Sequence, residues 1–186
     1  LFLYTTSILL ADDLIVDKSY LSEYQSDNFL RFDYFDFDNN YFGIKGMAQD
    51  TISLGDGGPV FENFTVELWV RSEQKGINSQ LLLGNSYVEG KDRSPTIFTT
   101  DKGHSIMYGF GNGSTYYYTK KDSVISNPGW HHIAYTYDGT SSQLYVDGVK
   151  VDSTDKYKNQ TPQSTPIRSI GTNFFGDMDE IRMWKV

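Results

Sequence analysis

Asp177-Met178-Asp179-Glu180 places three carboxylates close to the end of the sequence, and Asp36 and Asp38 stand near its start. Neighbouring carboxylates do two kinds of chemistry. Retaining glycoside hydrolysis needs two of them about 5 Å apart, one with a raised pKa. Along a strand, alternation sends Asp177 and Asp179 to one face and Glu180 to the other, so this spacing does not assemble such a pair. Hard oxygen donors converging from loops suit Ca²⁺ instead. Asp36, Asp38, Asp177 and Asp179 are the candidate calcium ligands if the first and last strands are neighbours. The competing reading is that Asp36, Asp38 and Asn39 shape a turn through side-chain-to-backbone bonds. There is no full EF-type loop.

Other residue types offer different chemistry. His131 and His132 are adjacent, so on a strand their side chains diverge and cannot form a ligand pair. They read as one His packed beside Trp130 and one exposed. Ser, His and Asp are all present, but no nucleophile elbow is. Tyr116-Tyr117-Tyr118 puts Tyr116 and Tyr118 on one face of a strand, where exposed rings could hold a glycan or a protein loop. The plainer reading is one packed face and one decorated face. Trp69 shares a face with Glu67 and Arg71, either covered by a flanking segment or lining a groove. Asn63-Phe64-Thr65, Asn112-Gly113-Ser114 and Asn159-Gln160-Thr161 are acceptor sequons, with Asn112 and Asn159 in loops and Asn63 at a strand entrance.

These residues need a scaffold, and the composition says which. The 186 residues suit one domain with its own core. With 14 Tyr, 12 Phe and 17 Gly, the balance favours sheet over helix. No cysteine is present, which excludes disulfides and thiolate metal sites but leaves secretion open. A net charge of −8 repels phosphate backbones and argues against nucleic acid as a partner.

Pattern then places the strands. Phe64, Val66, Leu68 and Val70 alternate with Thr65, Glu67, Trp69 and Arg71. Leu81-Leu82-Leu83 reads as a buried strand. Thr96–Thr100, His104–Phe110 and Thr115–Lys120 follow. Gly129–Asp138 and Gln143–Val146 form a hairpin, and Asp147-Gly148 turns the chain again, because Asp-Gly supplies positive φ. Residues 152–166 read as a polar loop, Arg168–Gly171 as a short strand and Met178–Trp184 as the last. Near the start, Phe29 to Phe37 and Tyr41–Ile44 read as strands. Residues 12–27 read as a connector. Leu1–Ala11 is open to two readings, a strand or the apolar core of a secretory signal. It is too short for a membrane span.

Four blocks in order resemble the laminin-G-like, concanavalin-A-like sandwiches: Phe64–Arg71, Gly129–Ala134, Leu144–Gly148 and Gly176–Trp184. The resemblance implies an all-β, antiparallel two-sheet jelly roll over residues 28–186, with residues 1–27 outside it and with first and last strands adjacent. Members often carry calcium at a loop rim or near the joined termini. Glycosidases of this superfold carry Glu, Asp and Glu on one inward face, and the first Glu is missing here. The expected function is a non-catalytic extracellular recognition or adhesion module for glycan or protein, with Tyr116, Tyr118 and Trp69 as binding candidates. The alternative is a structural subunit that self-assembles through the N-terminal strand. A polysaccharide-active enzyme comes last.

Overall fold

The computed structural model describes residues 7–9, 15–17, 29–32, 35–36, 52–58, 60–74, 78–85 and 88–186. Asp38, Asn39 and the strand expected at Tyr41–Ile44 lie outside the described residues. Two antiparallel sheets face each other. The first runs in the order β10 (Tyr116–Lys121), β9 (Ser105–Gly111), β8 (Thr96–Thr100), β7 (Ser79–Gly84), β14 (Ser169–Ile170), β5 (Ile52–Ser53). The second runs β13 (Val149–Thr154), β12 (Ser142–Val146), β11 (His131–Tyr137), β6 (Phe64–Ser72), β15 (Gly176–Lys185), β3 (Phe29–Phe32), with β4 (Phe35–Asp36) also on β15. The fold is the all-β sandwich that the alternation predicts.

The last strand lies against the first of its sheet. Ile181 faces Phe32 and Trp184 faces Phe29, while Asp177 faces Asp36 across the β15–β4 ladder. The adjacency of the two ends is as expected. β1 (Ser7–Leu9) accords with the strand reading of Leu1–Ala11, while residues 12–27 depart from theirs. β1 pairs with β2 (Ile15–Asp17) in a two-stranded sheet of its own, so the connector expected over 12–27 contains a strand. Isoleucine and valine at 15 and 16 are β-branched and suit that state.

Period-two patterning fills the space between the sheets. Phe64, Val66, Leu68 and Val70 are fully buried from one layer, and Ile106, Tyr108 and Phe110 from the other. Each such side chain contributes about 1.5–3 kcal/mol by leaving water. The aromatics interlock edge to face: Phe64 and Tyr135 lie 4.9 Å apart at 81°, and Tyr108 and Tyr135 4.9 Å apart at 64°. Burial pushes the Tyr135 hydroxyl well above its ordinary range, partly offset by its contact with Ser142.

The residues between the core positions point outward, and they form the two outer faces. Asp147 and Gly148 take φ of 52° and 76° in the β12–β13 turn, which is why the sequence places Asp-Gly there.

Candidate functional site

On the outer face of the six-stranded sheet, edge strand β10 presents Tyr116 and Tyr118. Their rings stack with centroids 5.0 Å apart and planes 26° apart, and Tyr118 is 55% exposed. Tyr117 takes the opposite face, 6.1 Å from Phe110 and 5.5 Å from Tyr157. One residue of the triplet therefore packs while two decorate. In register, Tyr116 faces Gly111 and Tyr118 faces Gly109. These glycines are required: a Cβ at Gly109 would lie 2.0 Å from the Tyr117 carbonyl oxygen, and one at Gly111 2.1 Å from that of Lys91. Backbone of Tyr117–Tyr118 and of Gly90–Lys91 fills the space above these two buried glycines.

Arg93 borders the stacked pair. Its guanidinium lies 5.2 Å from the Tyr116 ring centre and 5.0 Å from that of Phe98. The short 3₁₀ turn Gly90–Asp92 delivers it, and the Arg93 backbone N–H bonds to the Gly90 carbonyl. Burial raises the Tyr116 hydroxyl pKa, with Arg93 pulling the other way. The sequence reading placed Arg93 in a polar loop and missed it. The signal that could have found it is Gly111 with Gly90, which let the Gly90–Asp92 turn close onto β9 and Tyr116.

The outer face of the seven-stranded sheet holds the other candidates. Trp69 is 39% exposed, stands opposite His132 and Asp179 in register, and lies 5.3 Å from the His132 ring. His132 Nε2 lies 3.4 Å from Glu67 Oε2, and Arg182 Nη1 donates to Glu67 Oε1 at 3.2 Å. His132, with Arg182 behind it, lowers the Glu67 pKa against the opposing effect of burial. His132 is therefore a half-covered partner of Trp69 and Glu67, where the sequence reading had an exposed His. His131 is the packed one, 8% exposed.

Two of the carboxylates expected to gather calcium, Asp177 and Asp179, make other contacts. Arg71 Nε donates to Asp177 Oδ2 at 2.5 Å, and Asp177 is 5% exposed. Asp179 Oδ1 accepts the Glu180 N–H at 2.7 Å. Asp36 is placed only by its backbone opposite Asp177, and Asp38 lies outside the described residues. Among the described residues no group of three or more acidic or histidine side chains is placed to hold a metal. The strict alternation expected across Asp177–Glu180 is also broken. Register shifts between Asp179 and Arg182, and Glu180 takes φ of 51°, so a β-bulge re-aims Glu180 against Arg182.

The three sequons differ in their surroundings. Asn112 Nδ2 donates to Gln160 Oε1 at 2.8 Å, while its Oδ1 accepts from the Ser114 and Thr115 N–H groups at 3.0 and 2.8 Å. Asn159 is exposed in a turn with φ of 61°. Asn63 is half-buried before β6.

With this geometry in place, comparison with known proteins assigns the family. The model of the concanavalin A-like lectin/glucanases superfamily, laminin-G type, matches residues 46–186. The chain belongs to that superfamily. Among solved structures, this superfamily member is similar to a leech intramolecular trans-sialidase, with TM-score 0.63 and 17% identity over 83% of this chain and 25% of that one. It is similar to domains LG4-5 of the mouse laminin alpha1 chain, with TM-score 0.57 and 14% identity over 73% of this chain and 38% of that one. It is also similar to the CBM40 module of Ruminococcus gnavus IT-sialidase bound to α2,3-sialyllactose, with TM-score 0.51 and 16% identity over 67% and 75%. The chain spans a quarter of the leech enzyme and well under half of the laminin pair. At these identities the likeness is one of fold. No curated protein matches the sequence. Among the described residues no helix is long and apolar enough to cross a membrane.

Proposed function

We propose that this domain is a non-catalytic extracellular recognition module that binds glycan on the outer face of its six-stranded sheet. Tyr118 is the stacking platform. The observation that carries the reading is the stacked pair Tyr116–Tyr118, with Tyr118 55% exposed on the edge strand of the sheet. A large apolar ring held rigid by a second ring costs little entropy on binding and offers a flat surface to the C–H face of a sugar. Polar groups at the rim then fix orientation. The fold it shares with the sialyllactose-bound CBM40 module supports the choice of glycan over other ligands.

The carboxylates support a binding role rather than hydrolysis. An acid catalyst needs a raised pKa, but Glu67 is held low by His132 and Arg182. Asp177 is tied to Arg71. Three sequons, with Asn159 exposed, support an extracellular setting. Because Asp36, Asp177 and Asp179 lie on the other sheet, binding at Tyr118 does not call for a metal at those residues.

The test is a glycan array followed by titration calorimetry of any hit, on the native domain and on Tyr118→Ala. The reading expects saccharide binding that Tyr118→Ala abolishes while the fold persists. Hits indifferent to Tyr118, or no saccharide bound at all, would refute it.

A further inference from the structure

Strand β10, which carries Tyr118, ends its sheet and pairs with β9 on one side only. A strand with one ladder opens locally more easily than one with two. Side chains from the other sheet's connection hold it from within. The turn over residues 155–160 follows β13. Tyr157 Oη lies 2.5 Å from Thr119 Oγ1, and Tyr117 Oη donates to Gln160 Oε1 at 3.0 Å. The same Gln160 oxygen accepts Asn112 Nδ2 at 2.8 Å, which fixes the amide.

The turn is itself anchored. Tyr137 on β11 is 1% exposed and brings its hydroxyl 2.7 Å from the Tyr157 carbonyl and 2.5 Å from that of Gln160. The Asn159 N–H bonds to the Gly139 carbonyl at 2.8 Å. Tyr157 is buried, with its ring 5.8 Å from Phe110 and 5.5 Å from Tyr117. Burial pushes its hydroxyl up to about 12, so it bonds Thr119 in the neutral form. Alternation carries these bonds to the outer face. Tyr117 and Thr119 point inward and Tyr118, between them, points out. Fixing the two inward side chains fixes the backbone from which the exposed ring springs.

We propose that Tyr157 and Gln160 are positioning residues for the saccharide platform: they clamp β10 through Thr119 and Tyr117 and so hold the Tyr118 ring ready for its ligand. This rests on the glycan reading above and extends the site to a turn that leaves the opposite sheet. Both residues act through β10 rather than by touching the sugar. A ring held in place before binding has less freedom to lose when the ligand arrives.

The experiment reads two quantities, hydrogen exchange of the β10 amides in the free domain and calorimetric affinity for the strongest array saccharide. The native domain is compared with Tyr157→Phe, Gln160→Leu, Gln160→Glu and Asp147→Asn. Tyr157→Phe keeps the ring and removes the hydroxyl. Gln160→Leu removes the acceptor, and Gln160→Glu keeps it. Asp147→Asn weakens the fold at the β12–β13 turn and controls for lost stability alone. The proposal expects faster β10 exchange in Tyr157→Phe and Gln160→Leu, with affinity down about 3- to 10-fold, the scale of one more side chain to be ordered on binding. Gln160→Glu stays near native in both readouts, and Asp147→Asn keeps the native affinity. Native affinity in Tyr157→Phe and Gln160→Leu would overturn the proposal and leave the glycan reading standing, whether or not exchange quickens. An affinity loss without faster exchange, or an equal loss in Asp147→Asn, would overturn it too. Binding that ignores Tyr118→Ala, or no saccharide bound at all, would remove the glycan reading and this inference together.

Discussion

Asp147 reaches across the sheet edge to hold His131: its Oδ2 lies 2.8 Å from His131 Nδ1, while its Oδ1 accepts the His132 N–H at 2.9 Å. The second ring nitrogen of His131 lies 3.2 Å from the Asn127 carbonyl. The turn that ends β12 is thereby stapled to the start of β11. This explains why the sequence carries Trp-His-His and Tyr-Val-Asp-Gly in the same molecule.

That staple makes stability pH-dependent. Burial raises the Asp147 pKa, but the His131 bond and the His132 N–H outweigh it, and the net direction is down. A carboxylate whose folded pKa is depressed stabilises the fold above its unfolded pKa. The contribution is lost as pH falls through the folded value. The expected result is a melting temperature that declines below about pH 4, with a shallower decline in Asp147→Asn. At neutral pH that variant should lose about 1–2 kcal/mol, the scale of a turn-capping bond plus a bond to a buried ring. Thermal unfolding across pH 3 to 7 checks both.

The core makes a contrasting prediction. Phe64 is fully buried and touches Phe110, Tyr135 and Tyr137. Phe64→Ala should cost about 3–5 kcal/mol, because a ring-sized cavity opens between the sheets. Tyr118→Ala, on the outer face, should cost no more than about 1 kcal/mol, mainly the lost stacking on Tyr116. Urea denaturation of the two variants separates them.

The alternation of Phe64 to Arg71 was readable because strand side chains repeat every two residues and one face is buried. The same rule failed at Glu180, where a bulge with positive φ breaks the count. The tyrosine triplet divided as alternation requires, yet Arg93 was invisible to it. Arg93 reaches Tyr116 from a 3₁₀ turn before β8, a contact set by tertiary packing rather than by local period. Trp69 was placed on the correct face, but its partner His132 lies on another strand, so its half-covered state could not be read from β6 alone.

The sequons should behave differently in a eukaryotic secretory host. Asn112 uses its side-chain amide to hold Gln160 and to cap the Ser114 and Thr115 N–H groups. A glycan on that nitrogen would compete with its bond to Gln160. Asn159 is exposed. Glycopeptide mass spectrometry should find Asn159 occupied and Asn112 bare. Asn112→Ala should destabilise by about 1 kcal/mol through the lost caps.

Chelation tests the calcium expectation. Asp177 is committed to Arg71, and the described carboxylates form no cage. EDTA should leave both the melting temperature and saccharide binding unchanged. A fall in either on chelation, restored by added calcium, would show a cation site built with residues beyond those described.

The most direct test of the account is the affinity of the native domain and of Tyr118→Ala for the strongest array saccharide, measured by calorimetry at neutral pH. The account predicts a measurable dissociation constant for the native domain and at least a 10-fold loss in the variant, the scale of one stacked ring, with the melting temperature nearly unchanged. Equal affinity in the two proteins would contradict it.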